Sequence, residues 1–134
     1  MRNDAVHRLR IVVADDSDCV RRAVVRLLQD TFEIVAEVST GEALVEAAQA
    51  LRPDVVVSDL AMPSLSGAEA MKRLRDAGHT TPFVIMTATD WSPRKWIAMG
   101  ALAVVHKFDL HLDLAHAVLS AAAGKIYISR SVQS

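Results

Sequence analysis

Five short apolar runs, separated by amphipathic segments, dominate the pattern of the chain. Four of the runs are almost entirely apolar and cover residues 9–14, 54–59, 82–87 and 102–106. Runs of this kind predict strands that are buried on both faces of a parallel sheet. The remaining run, residues 32–38, alternates apolar side chains with Glu33 and Glu37. Alternation predicts a strand with one exposed face, so we place it at an edge of the sheet.

The amphipathic segments between these runs predict helices. They cover about residues 17–30, 39–51, 67–77, 91–99 and 109–123. In the first helix, the spacing predicts that Val20, Val24, Leu27 and Leu28 face inward, with Cys19 as a small core residue. Strands that alternate with helices over short, right-handed connections leave few arrangements. The chain therefore predicts an α/β fold: a flavodoxin-like, doubly wound, five-stranded parallel sheet of order 2-1-3-4-5, with helices on both faces.

Length and composition fit one domain without a membrane span. The chain has 134 residues, of which 51% are hydrophobic; we assign residues 1–123 to the domain and 124–134 to a tail or the start of a linker. The net charge of −1 does not suggest that this chain itself binds a nucleic-acid backbone. The single cysteine excludes an internal disulfide, and no apolar run approaches the roughly 18 residues of a membrane helix. We expect a cytoplasmic protein.

Polar side chains follow or end four of the predicted strands. They are Asp15 and Asp16 after the first, Asp59 at the end of the third, Thr87 at the end of the fourth and Lys107 after the fifth. Because the carboxyl ends of parallel strands meet at one edge of a sheet, we expect these side chains to lie within reach of each other. Taken singly, each has an ordinary explanation: a helix-capping acidic turn, a strand-end hydroxyl or a surface lysine.

Taken together, these side chains predict phosphoryl chemistry. Crowded carboxylates need a proton or a cation, and carboxylate oxygens are ligands that suit Mg²⁺. Lys107 would add a positive charge and Thr87 a hydrogen-bond donor. An ionised aspartate can act as a nucleophile, and phosphoryl transfer asks the protein mainly for positioning and charge neutralisation.

The same residues resemble the receiver domain of bacterial two-component response regulators. The resemblance rests on Asp15-Asp16, on Asp59-Leu60-Ala61-Met62-Pro63 followed by Gly67, on Thr87-Ala88, and on Gly100-Ala101 before Lys107. It extends from about residue 9 to residue 123 and includes the turn Ser39-Thr40-Gly41 into the second helix. It implies a regulatory domain rather than an enzyme, although one that catalyses its own phosphorylation and dephosphorylation.

The resemblance also implies a role for each site residue. Asp59 would accept a phosphoryl group from the phosphohistidine of a sensor histidine kinase. Asp16, Asp59 and the backbone carbonyl of Ala61 would bind Mg²⁺, and Asp15 would act mostly through water. Lys107 and Thr87 would contact the phosphoryl group, and the small Ala88 would leave room for the phosphodonor.

Two positions depart from the family pattern, and one segment points to a subclass. Val104 stands where the family usually has an aromatic switch residue, and Phe108 follows the lysine where proline is common. The interval from Thr87 to Gly100 is short for the family, so we expect a short or distorted fourth helix. Residues 123–132 resemble the segment that leads to the helix-turn-helix in NarL/LuxR-type regulators. This implies transcriptional output through a DNA-binding domain outside this chain, and a homodimer through the face of the fourth helix, fifth strand and fifth helix or through another helix face.

Three alternatives remain open at this point. The chain could be a stand-alone receiver, or a receiver-like module that binds proteins without a phosphorylation cycle. Retention of the acidic residues and the lysine argues against the second. The third is a phosphatase of the haloacid-dehalogenase type, which needs a second aspartate two positions after its nucleophile. Ala61 occupies that position.

Overall fold

One parallel sheet forms the centre of the computed structural model, which describes residues 8–88 and 92–129. Its strands are β1 (Arg10–Ala14), β2 (Glu33–Val38), β3 (Val55–Asp59), β4 (Phe83–Thr87), β5 (Ala103–His106) and β6 (Tyr127–Ile128). The strand order is β2-β1-β3-β4-β5-β6, and every neighbouring pair is parallel. This confirms the predicted fold and order. It also adds a sixth strand, in the segment that we assigned to a tail or linker.

Five α-helices in the described residues connect the strands. They are α1 (Asp18–Leu28), α2 (Gly41–Leu51), α3 (Gly67–Asp76), α4 (Pro93–Ala98) and α5 (Leu110–Ala122), with a 3-10 turn at Lys107–Asp109. Side-chain oxygens of Ser17, Thr40 and Ser66 accept backbone N–H groups at the starts of α1, α2 and α3. These caps begin the helices next to the carboxyl ends of β1, β2 and β3, and so fix the turns that carry the candidate site.

Two apolar layers lie on opposite faces of the sheet, and the central strand contributes to both. In β3, Val56 packs with residues of α2 and α3, whereas Val55 and Val57 pack with residues of α1 and α5. All five residues of β3 are buried. In contrast, β2 leaves Glu33 and Glu37 exposed, which confirms its predicted place at an edge.

The inward face of α1 differs from the prediction at two residues. Val24 and Leu28 are buried and Val20 packs partly against them, but Leu27 is 38% exposed. The apolar stripe turns toward Val25, which is partly buried in the same layer, so Leu27 falls outside it. The prediction that Cys19 is a core residue is also wrong, because the thiol lies in the exposed first turn of the helix.

The fourth helix is short, as the reduced interval predicted, with six residues. Trp96 is 9% exposed and belongs to the same apolar layer as Val104. Trp91, predicted to lie in this helix, is outside the described residues. Among the helices of the described chain, none combines the length and the apolar character needed to cross a membrane.

Candidate functional site

Asp59 lies at the centre of the site, as the last residue of β3. The residue is 4% exposed, and its Oδ1 accepts a hydrogen bond from the Ala61 N–H at 3.3 Å. The N–H of Leu60 still donates to the Met86 carbonyl of β4, and the loop that follows closes where the N–H of Gly67 donates to the Leu60 carbonyl. The strand end therefore holds the carboxylate in a fixed turn, and Ala61 lies at its exposed outer side.

Asp15 and Asp16 approach Asp59 from the end of β1. Asp15 is fully buried, and its Oδ1 accepts the Ser17 N–H at 2.9 Å. Asp16 is exposed. One carboxylate oxygen from each of Asp15, Asp16 and Asp59 lies within 4.8 Å of the other two.

Lys107 places its ammonium between two of these carboxylates. Its Nζ lies 3.1 Å from Oδ2 of Asp15 and 3.2 Å from Oδ1 of Asp59. The lysine follows β5 directly, in the 3-10 turn, and its side chain is 20% exposed. The Lys107 ammonium can therefore contact both Asp15 and Asp59 and also a group that enters from solvent.

Burial and charge shift the pKa values of this cluster. Burial of the carboxyl and, second, the nearby Asp15 charge raise the pKa of Asp59, while Lys107 and the Ala61 N–H partly offset the rise, so that the pKa is about 6. Burial of the ammonium acts to lower the pKa of Lys107, but Asp59 and Asp15 outweigh it, so the pKa is raised. Lys107 thus stays charged at neutral pH, while Asp59 holds its proton more tightly than a free aspartate.

The donor set fits a hard divalent cation. Oδ2 of Asp15 is buried and is paired with the Lys107 ammonium at 3.1 Å. A cluster of three carboxylates carries more negative charge than one lysine neutralises, and oxygen donors are what Mg²⁺ prefers. Because Asp16 is exposed, the cluster is open to solvent on one side.

Thr87 and Ala88 follow at the end of the neighbouring strand. Thr87 is the last residue of β4 and is 5% exposed, while Ala88 is exposed. In the β3–β4 register Asp59 pairs with Met86, so Thr87 lies one residue beyond the level of Asp59. The structure therefore brings the ends of β1, β3, β4 and β5 to one edge of the sheet.

Sequence reasoning missed several residues that shape this edge. Ser64, whose φ is +61°, donates its hydroxyl to the Glu42 carboxylate at 3.0 Å and so joins the loop after β3 to α2. His106 is 4% exposed; its Nδ1 accepts the Phe108 N–H, and its own N–H donates to Oγ of Ser129. Single serine and histidine residues in loops and at strand ends form no periodic pattern that predicts such contacts.

Comparison with known proteins identifies relatives over most of the chain. The family described as "response regulator receiver domain" matches residues 11–118. The response regulator GacA of Pseudomonas viridiflava is 30% identical over 128 residues, which is 92% of this chain and 60% of that protein. A protein-glutamate methylesterase/protein-glutamine glutaminase of Anaeromyxobacter dehalogenans is 36% identical over 110 residues, or 79% of this chain and 32% of that protein. The chain thus spans between about a third and three fifths of these relatives.

Solved structures that resemble this chain are also response regulators. The signal receiver domain of a NarL response regulator from Mycobacterium tuberculosis superposes with a TM-score of 0.84 at 30% identity, over 90% of this chain and all of that one. A LuxR-family response regulator from Aurantimonas sp. SI85-9A1 gives a TM-score of 0.87 at 26% identity, over 94% of this chain and 93% of that one.

Proposed function

Because this chain belongs to the response regulator receiver domain family, we propose that it is a signalling switch in which a histidine kinase phosphorylates Asp59. The observation that carries the proposal is the position of Asp59, a buried carboxylate at a strand end with Asp15 beside it and Lys107 at 3.2 Å. In the transfer, an Asp59 oxygen attacks the phosphorus of a phosphohistidine, an O–P bond forms and the N–P bond breaks. The donor imidazole leaves with the electron pair and takes up a proton.

Each neighbouring residue has a part in this proposal. Lys107 neutralises charge on the phosphoryl oxygens, and the Thr87 hydroxyl donates a hydrogen bond to one of them. Ala88 leaves room for the donor. These groups position and stabilise rather than react, which is what phosphoryl transfer needs.

We assign Mg²⁺ as the metal, held by Asp16, Asp59 and the Ala61 carbonyl, with Asp15 acting through water. The cluster of three carboxylates, with Lys107 as the ammonium that contacts two of them, supports this assignment. When bound, the ion would neutralise the negative charge that gathers at the site. Self-catalysed phosphorylation from a small donor and self-catalysed dephosphorylation are part of the same proposal.

We propose a transcriptional output in a longer, cytoplasmic regulator. The GacA relative and the LuxR-family structure support this, and this chain spans 60% of that relative. Contact with DNA would then fall to a domain outside this chain. Exposed apolar side chains at Leu112 and Leu119 in α5, and at Phe108 in the 3-10 turn before it, support a dimer surface there, as part of the face with α4 and β5 or on the outer face of α5.

Incubation with acetyl phosphate and Mg²⁺, followed by intact mass, tests the phosphorylation site. We expect one phosphoryl group on the wild-type chain, none on Asp59→Asn and one on the control Asp30→Asn, which changes an exposed acid after α1. A label that persists in Asp59→Asn, or that forms fully in EDTA, would contradict the proposal.

A further inference from the structure

A serine after α5 is bonded to the strand that leads to Lys107. Ser129 is fully buried, its N–H donates to the Val104 carbonyl at 2.9 Å, and its Oγ accepts the His106 N–H at 2.9 Å. Lys107 is the next residue along the chain. The backbone immediately before the lysine is therefore held by a side chain from position 129.

The rest of this segment is anchored to the same part of the fold. The Tyr127 N–H donates to the Leu102 carbonyl at 2.9 Å, and the Tyr127 hydroxyl donates to Oδ1 of Asp113 in α5 at 2.7 Å. Ile128 pairs with Val104 in the β5–β6 register. Residues 127–129 thus follow β5, and their last residue, Ser129, accepts the His106 N–H.

This arrangement gives a short path from the site to the end of the described chain. A phosphoryl group on Asp59 would add negative charge next to Lys107, whose ammonium already lies 3.2 Å from that carboxylate. Any shift of the Lys107 backbone reaches His106 first, and a buried backbone N–H must keep its partner. That partner is the Ser129 hydroxyl.

The fifth strand contains no Phe, Tyr or Trp side chain that could change its position when Asp59 is phosphorylated. Val104 is fully buried, and a β-branched side chain has few rotamers to exchange. The ring movement that the family uses at this position has no counterpart here. A change at Lys107 that reaches the far edge of β5 must therefore travel through backbone hydrogen bonds and packing.

From these contacts, and resting on the proposed function, we propose that Ser129 is a positioning residue for Lys107. The hydrogen bond from the His106 N–H to Ser129 couples the phosphorylation site to the chain that follows β6. When phosphorylation shifts Lys107 and His106, Ser129 keeps this bond and follows, so that the change reaches residues 127–129.

Amide hydrogen exchange on the 134-residue chain tests this coupling. With Mg²⁺ and beryllofluoride, which mimics a phosphoryl group, we expect a several-fold change in exchange at His106 and at residues 127–129 of the wild-type chain. In Ser129→Ala this response should be lost at residues 127–129. A purely structural role would speed exchange equally with and without beryllofluoride and would leave the response intact.

Tyr127→Phe is the matched control. It removes the bond to Asp113 from the same segment but leaves the His106–Ser129 bond in place, so the response should remain. An equal response in Ser129→Ala and wild type, or its loss in Tyr127→Phe as well, would overturn the role of Ser129. Intact mass after acetyl phosphate separates the two proposals: an unlabelled wild-type chain would contradict the phosphorylation site itself, whereas a labelled chain without any response at residues 127–129 would contradict only the coupling.

Discussion

The backbone of Gly67 lies against the carbonyl oxygen of Asp59, so closely that a Cβ at position 67 would be 2.3 Å from that oxygen. The same Cβ would also lie 2.7 Å from Oγ of Ser58. The start of α3 and the end of β3 therefore touch through backbone atoms, and the loop between them closes tightly beneath the site.

Gly67→Ala should destabilise the domain by about 1–3 kcal/mol, because the added methyl has no space without a shift of the Asp59 carbonyl. The better helix propensity of alanine, about 1 kcal/mol, does not offset this contact. Urea denaturation measures the loss, and acetyl phosphate labelling should be slower. Gly124→Ala is the control: a Cβ there meets no atom within 4 Å, so only the cost of its φ of +75° remains and labelling should be unchanged.

The raised pKa of Asp59 predicts an unusual pH dependence of stability. Because burial raises this pKa from 3.8 to about 6, the folded chain binds more protons than the unfolded chain between these values. The contribution of Asp59 to the free energy of unfolding is therefore full below about pH 4 and falls as the pH rises to about 6. Denaturation without Mg²⁺ should show this fall as the difference between wild type and Asp59→Asn. Saturating Mg²⁺ should reduce the fall, and a difference that rises with pH would contradict the assignment.

Substitutions at Asp16 and Lys107 should separate metal binding from phosphoryl contact. Asp16→Asn removes a proposed ligand, so the Mg²⁺ concentration needed for half-maximal labelling should rise about tenfold or more. Lys107→Ala should leave Mg²⁺ binding in place, since it removes a competing cation 3.2 Å from Asp59, but should slow labelling at saturating Mg²⁺. Titration calorimetry and labelling rates measure the two effects. The same defect in both variants would argue against separate roles.

Trp96 should report phosphorylation. Its ring lies in the apolar layer that includes Val104, and the Lys95 ammonium is 4.9 Å from the ring centroid. Val104 has no aromatic ring that could change its position on phosphorylation. We therefore expect the whole of α4 to move, which changes the environment of the Trp96 indole. Beryllofluoride with Mg²⁺ should change the tryptophan emission, Trp96→Phe should abolish most of the change, and Trp91→Phe should retain it. Constant emission on a chain with phosphorylated Asp59 would mean that the signal leaves by another face.

The sequence predicted the sheet order because its strongest signals are periodic. A continuous apolar run at residues 54–59 and an alternating run at residues 32–38 distinguish a central strand from an edge strand. The same logic predicted that Asp59 and Lys107 would lie at the same edge of the sheet, although it could not give their 3.2 Å distance.

The features that the sequence did not predict have a common physical origin. Each of them depends on contacts between segments that are distant in the sequence. Leu27 has an apolar side chain at a helical spacing, yet the direction of the inward stripe is set by how α1 packs. Tyr127 and Ile128 are too few to show a strand period, and they form β6 only because β5 offers its edge. Ser129 had no signal at all, since a serine near the end of a chain is normally exposed.

The two residues of β6 also cover the edge of β5, which would otherwise be open to another copy of the chain. All four residues of β5 are buried, and with residues 127–129 in place its outer backbone groups are bonded to Tyr127 and Ser129. A chain ended after α5 would leave those groups unpaired along a mostly apolar edge strand, which is a template for pairing with another molecule. We expect such a shortened chain to self-associate with rising concentration, so that the chain after α5 also keeps the protein from aggregating.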